Sequence, residues 1–123
     1  MTTTTTDVVD AYYTSWQAGI GAFDETSLRR VLAADLLFEG PIAGTRTGVE
    51  PFLRGLADFA RGVRGMRMLH QVRSADAVAS LYECDLGATG GTLRFAEFMR
   101  VVDGRITSIR LVYDPHEFRR LMA

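Results

Sequence analysis

The feature that most constrains this chain is a change of hydrophobic period at Gly65. Before it, apolar residues recur every three or four positions, the mark of amphipathic helices; after it they alternate, the mark of half-buried strands. From Asp7, the residues Val9, Tyr12 or Tyr13, Trp16 and Ile20 form one apolar stripe, which Gly19 and Gly21 end. A second short helix is expected from about Glu25 to Ala34, burying Leu28, Val31 and Leu32. Thr47-Gly48-Val49-Glu50 has the form of a capping box and opens a third helix running to about Arg61. Its inward set is Phe52, Leu53, Leu56, Phe59 and Ala60, and Pro51 is tolerated in the first turn. Between the second and third helices, Leu36–Glu39 reads as a short strand stopped by Gly40-Pro41, and Gly44–Gly48 as a loop. The leading tract Thr2–Thr6 is polar and reads as frayed.

Four strands are expected beyond Gly65: Met66–Arg73, Val78–Leu86, Leu93–Val102 and Arg105–Tyr113. Their connections are Ser74–Ala77, the glycine-rich Gly87–Thr92 and Asp103-Gly104, a strong hairpin signal. Asp114-Pro115-His116-Glu117 opens a terminal helix, with a side-chain cap, proline at the first position and glutamate at the third. The expected fold is therefore α+β. Three N-terminal helices cover the concave face of a curved, antiparallel-rich sheet shaped as a conical barrel, a short C-terminal helix follows, and residues 1–123 form a single domain. Such a shape leaves a hollow between sheet and helices, where ligand pockets form.

Charge and residue usage exclude several classes. Fourteen cations, all arginine, against 15 acids give a net charge of −1, which leaves no electrostatic footprint for nucleic acid or an anionic membrane. The absence of lysine excludes Schiff-base chemistry through lysine. No apolar run is long enough to span a bilayer, and Met1–Asp10 has neither a basic region nor an apolar stretch, so a cytoplasmic protein without a secretory leader is expected. Cys84 is the one cysteine, which rules out a disulfide within the chain, and no His, Asp or Glu spacing has metal-ligand form. Gly90-Gly91 lacks phosphate-loop spacing, so neither metal nor cofactor is expected.

Alternation sorts the strand residues into two faces. Phe95, Glu97, Met99 and Val101 share one, as do Ile109, Leu111 and Tyr113, and as do Met66, Met68, His70 and Val72. A four-residue turn at Ser74–Ala77 pairs Arg73 with Val78 and His70 with Leu81, which carries Ala79, Leu81, Glu83 and Asp85 to the His70 face. If the glycine-rich turn sets Asp85 opposite Phe95, Glu83 faces Glu97 across the ladder. Two such close carboxyls do not both ionise cheaply, and a shared proton supplies an acid and a base in one place. A slip of one residue would send Glu83 and Asp85 outward. The remaining alternate set, Val78, Tyr82, Leu86, Phe98, Val102 and Val112 among Arg73, Arg94, Arg100 and Arg110, then lies on an uncovered face suited to a homodimer.

The segments Val8–Tyr13 through Ala18-Gly19, then Leu37-Phe38-Glu39-Gly40-Pro41, Gly48 opening a helix, and Asp103-Gly104-Arg105-Ile106 resemble the nuclear transport factor 2-like superfamily. The chain is most similar in style to its SnoaL-like and ketosteroid-isomerase-like group, over nearly its whole length. The resemblance implies a conical α+β barrel, often dimeric, with a small-molecule pocket, but no single activity, because the superfamily holds isomerases, epoxide hydrolases, aldol cyclases and noncatalytic binders. The isomerase's oxyanion tyrosine falls on Tyr12 and its neutral oxyanion acid on Glu97. Its general base falls on Gly40, which cannot act as one; Glu39 is one residue earlier and on the other face of a regular strand. The epoxide hydrolase's Asp-Arg-Asp set falls on Asp85, Glu83 and Leu111, which breaks it.

The expected function is cofactor-independent proton transfer, as in an isomerase or aldol-type cyclase, on an apolar carbonyl compound. Tyr12 donates to a developing oxyanion, Glu97 donates or accepts beside it, and Glu83, Asp85 or His70 shuttles the proton. Trp16, Phe38, Leu56, Met68, Met99, Leu111 and Tyr113 are the expected ligand-contacting residues. The alternatives are a noncatalytic binding or dimerising module with the same cavity, and an interaction domain with a filled core.

Overall fold

The computed structural model describes residues 4–123. Thr2 and Thr3, part of the tract expected to fray, lie outside the described residues. Thr4 is a helix cap: its hydroxyl accepts from the Asp7 N–H while the Asp7 carboxylate accepts from the Thr4 N–H. This reciprocal pair starts helix α1 (Thr5–Thr14), which buries Val8, Val9, Tyr12 and Tyr13. A turn carrying Trp16 and a short 3₁₀ segment (Ile20–Ala22) lead to α2 (Glu25–Val31), capped by Asp24. Strand β1 (Leu32–Gly40) follows without a loop.

Gly44–Thr47, expected as a loop, is strand β2, which pairs antiparallel with the end of β1. All four of its residues are exposed, so no apolar alternation announced it. Helix α3 (Val49–Gly62) has Gly48 at its N-cap, which carries no side chain, so the expected capping box does not form; Glu50 pairs with Arg29 of α2 instead. The sheet continues with β3 (Val63–Arg73), β4 (Ala77–Leu86), β5 (Gly91–Val102) and β6 (Arg105–Val112), and the chain ends in α4 (Pro115–Met122). Asp114 caps α4 as expected, accepting from the N–H groups of His116 and Glu117. The β5–β6 turn has Asp103 at φ 51° and Gly104 at φ 74°, the two left-handed residues that a tight hairpin turn requires.

The strand order is β2-β1-β6-β5-β4-β3, with β1 parallel to β6 and every other pair antiparallel. The α+β expectation holds, with a mixed six-stranded sheet that stays open, β2 and β3 forming its edges. The core lies between the helices and the face bearing Val78, Tyr82, Cys84, Leu86, Leu93, Phe95, Met99, Ile106 and Ile109. Among the described residues no helix is long and apolar enough to cross a membrane.

The end of α4 rests on a glycine shelf. Gly87 has φ 72°, its N–H donates to the Gly62 carbonyl at 2.8 Å, and a Cβ there would collide with the Leu121 carbonyl. Gly87→Ala therefore combines left-handed strain with a backbone clash. It should lower stability by about 2–4 kcal/mol in chemical denaturation, and amide exchange should show α4 losing protection first.

Candidate functional site

A cavity of about 280 Å³ opens between α1, α3 and the inner face of the sheet. Helix α1 and its following turn supply Tyr12 and Trp16, α3 supplies Phe52, Leu56 and Phe59, and the C-terminal segment supplies Tyr113 and Phe118. The sheet contributes Phe38, Tyr82, Phe95, Glu97 and Leu111. The rings brace one another: Tyr82 stacks on Phe95 at 5.3 Å between centroids, Phe38 meets Phe52 at 5.2 Å, and Trp16 meets Phe59 edge-on at 5.5 Å. Braced rings hold a wall that flexible aliphatic chains would fill by collapse. Exposed Ile42, Arg46 and Gly55 stand at the rim.

Glu97 is the one carboxyl in this lining, and it is 2% exposed. The Tyr13 hydroxyl donates to its Oε1 at 2.7 Å and the Tyr82 hydroxyl to the same oxygen at 3.1 Å. Burial pushes the Glu97 carboxyl up to about 7, and the two tyrosine donors offset part of that rise. Burial, followed by the Glu97 charge, raises Tyr12, Tyr13 and Tyr82, so all three remain protonated donors at neutral pH. Both hydrogen bonds use Oε1, which leaves Oε2 as the oxygen not engaged by tyrosine. The Trp16 indole N–H is buried beside the Tyr12 hydroxyl and makes no well-formed hydrogen bond among the described residues. A carboxyl poised near neutrality, next to hydroxyl and indole donors in an apolar chamber, can take or give a proton and can bind an oxygen-bearing ligand. Among the described residues, no three His, Cys, Asp or Glu side chains are grouped to hold a metal ion.

Of the residues expected at the site, Tyr12, Glu97, Trp16, Phe38, Leu56, Leu111 and Tyr113 line the cavity together. Glu83 and Asp85 do not. The expected pairing of Arg73 with Val78 and of His70 with Leu81 is present, but the register shifts between Met68 and His70, where Leu69 is an extra residue. Met68 therefore opposes Tyr82, and Arg67 opposes Glu83. Glu97 faces Ser80, Glu83 faces Arg94 and Asp85 faces Thr92, so the expected Glu83–Glu97 pair does not form. On the outer face, Arg67 grips Asp85 through two 2.9 Å bonds, and Arg94 holds Glu83 at 2.9 Å. The Arg67 guanidinium, then the Thr92 hydroxyl, hold the Asp85 carboxyl down at about 2.

The same bulge puts His70 on the exposed outer face with Leu81, away from the cavity. Met68 keeps the inner phase but lies at the sheet edge, 37% exposed, beside a shallow depression with Tyr13 and Gln71. Met99 is buried in the filled part of the core and does not line the cavity. Val78, Tyr82 and Leu86, expected outside, are buried inside. Glu39 points outward to Arg110 at 3.4 Å, as alternation required. Reading alternation missed Tyr13 and Tyr82 as the partners of Glu97. A signal was present within β4 itself: Val78, Tyr82, Cys84 and Leu86 are more apolar than Ala79, Leu81, Glu83 and Asp85.

The raised Glu97 has a consequence for stability. A group whose proton is held more tightly in the folded chain stabilises it fully below the unfolded value of 4.5 and loses that contribution as pH rises through about 7. Between these limits the wild type should lose on the order of 3 kcal/mol of unfolding free energy through this group. Denaturation midpoints measured from pH 4.5 to 8 should fall for the wild type. They should be flatter for Glu97→Gln, which has no proton to lose; equal slopes would refute the burial cost.

Residues 9–109 match the family model described as the SnoaL-like domain. No curated protein sequence matches the chain. Among solved structures, a protein from Kribbella flavida is 27% identical with a TM-score of 0.80, covering 94% of this chain and 90% of its own. A putative SnoaL-like polyketide cyclase from Jannaschia is 14% identical at TM-score 0.75, covering 95% of this chain and 92% of its own. A putative isomerase from Rhodopseudomonas palustris is 21% identical at TM-score 0.70, covering 90% and 94% respectively. The match over the larger part of the sequence and the shared fold agree with the resemblance read from the motifs, and the chain belongs to the SnoaL-like domain family, within the nuclear transport factor 2-like fold.

Proposed function

We propose that the chain binds a small, largely apolar carbonyl compound in the aromatic cavity and moves a proton with Glu97, without a cofactor. The observation that carries this reading is the buried Glu97 carboxyl, poised near neutrality by burial and held by Tyr13 and Tyr82. Similar folds named as a putative SnoaL-like polyketide cyclase and a putative isomerase lend it support. Gly40 stands where the isomerase base would be, and Glu83 and Asp85 are committed to arginines on the other face. One carboxyl must then both take and return the proton. In its ionised form Glu97 would accept an α-proton through Oε2, with Tyr12 donating to the enolate oxygen. The protonated Glu97 would then deliver the proton to carbon at the same or a conjugated position, and the tyrosine keeps its own proton.

The test is hydrogen–deuterium exchange at the α-carbon of 4-phenyl-2-butanone in buffered D₂O, followed by NMR with binding measured separately. Wild-type protein should accelerate exchange, Glu97→Gln should lower the rate at least about 100-fold and Tyr12→Phe about 10- to 100-fold, with binding largely kept. A second reading, noncatalytic binding, is favoured by the loss of Glu83 and Asp85 from the cavity. Binding without accelerated exchange would select it.

We also propose that the outer sheet face pairs two copies of the chain. Phe98, Val102 and Val112 are 50–58% exposed there, among the Arg94, Arg100 and Arg110 side chains and the carboxylates of Glu39 and Glu83. Apolar area with both charge signs suits a self-complementary contact. Sedimentation at micromolar concentration should give a dimer for the wild type and a folded monomer for Phe98→Glu.

A further inference from the structure

The cavity has a second charged group, at its rim. Arg46 lies on β2 directly opposite Phe38 of β1, so both side chains fall on one face of the sheet, the face that lines the cavity. Its neighbours on β2 project the other way: Thr45 borders the outer groove with Leu37 and Glu39. Eight arginines form ion pairs with carboxylates among the described residues, and Arg46 is not one of them. Its Nε donates to the Ala43 carbonyl at 3.0 Å, which orients the guanidinium and leaves Nη1 and Nη2 without a protein partner among the described residues. The Glu50 carboxylate, at the start of α3, is taken by Arg29, both of whose Nη atoms it accepts from at 2.6 and 2.9 Å. Glu39 is on the opposite face, beside Arg110. Among the described residues no carboxylate of the rim pairs with Arg46, and Glu97, the one acid of the lining, lies buried within it.

We propose that Arg46 binds an anionic group on the ligand, so that the substrate class is a carbonyl compound with an apolar body and a carboxylate at its far end. This rests on reading the cavity as the ligand site. The two ends of the cavity differ in kind. Inside are a carboxyl near neutrality and neutral donors, which suit a carbonyl oxygen. At the rim is a permanent cation with a free fork of donors, which suits a carboxylate through two parallel hydrogen bonds. A ligand carboxylate placed inside would face Glu97 and lose its hydration. Placed at Arg46, it keeps contact with water and gains the pair. The arrangement therefore fixes the direction of entry as well as the ligand's chemistry.

The test uses phenyl keto acids with two to six methylenes between ketone and carboxylate, their methyl esters, and the neutral ketone butyrophenone. Binding to the full chain is read by titration calorimetry and by the emission of Trp16, which lines the cavity. At its best length the acid should bind the wild type at least tenfold more tightly than its ester, and the preference should shrink as salt is raised. Arg46→Gln should abolish the preference, lowering acid affinity at least about tenfold more than it changes ester or butyrophenone affinity, and Arg46→Lys should restore part of it. Equal affinity for acid and ester in the wild type, or a preference that survives Arg46→Gln, would overturn the anion anchor while leaving the cavity reading intact. Failure of every acid, ester and ketone to bind would overturn the cavity reading and the anchor with it.

Discussion

The burial of one carboxyl organises this molecule. Glu97 cannot enter an aromatic interior unpaired without a large desolvation cost. Two tyrosines from separate parts of the chain, Tyr13 on α1 and Tyr82 on β4, converge on one of its oxygens. That convergence ties the first helix to the middle of the sheet across 84 residues of sequence. It also fixes the tyrosine rings, against which Trp16 packs tilted and Phe95 packs stacked. A polar triad thus sets the positions of the apolar walls around it.

The contrast between the acids of β4 and β5 shows how environment assigns roles. Glu83 and Asp85 have the same chemistry as Glu97, but each meets a guanidinium across the ladder. Their charge is compensated, and Asp85 in particular is held ionised far below neutrality. Glu97 is buried without a cation, and its two neutral donors offset only part of the desolvation, so its proton affinity rises instead of falling. One alternation step between neighbouring strands separates a half-exposed charge ladder from a group able to exchange protons near neutral pH.

Much of this was legible in the sequence. The Val9–Tyr13 part of the first helical stripe, the inward face of α3, the four long strands, the Asp103-Gly104 turn and the Asp114 cap all followed from local periodicity and turn chemistry, whereas the stripe's expected run to Ile20 did not, because α1 stops at Thr14 and Ile20 is exposed. Glu97 on an inward face followed from the alternation of β5, which is regular from Leu93 to Met99. What failed was the transfer of a face from one strand to the next. Leu69 adds one residue to β3, and every face assignment carried through His70 to β4 inverted. Such a bulge depends on pairing between strands and leaves no mark in the local pattern. Strand β2 escaped for a related reason: all four residues are exposed, so its existence is decided by pairing with β1. The apolar pattern within β4, and the arginines available to Glu83 and Asp85, held the correction.

The extra residue in β3 matters beyond the interior. β3 is an 11-residue edge strand, long enough to serve as a template for strand addition between molecules. A strand that changes face midway cannot offer one continuous, regular row of donors and acceptors to an incoming chain. With Arg64, Arg67 and Arg73 spaced along it, that border is poorly suited to cross-β growth. The irregularity that turns Glu83 and Asp85 away from the pocket also makes this edge a poor template for strand addition.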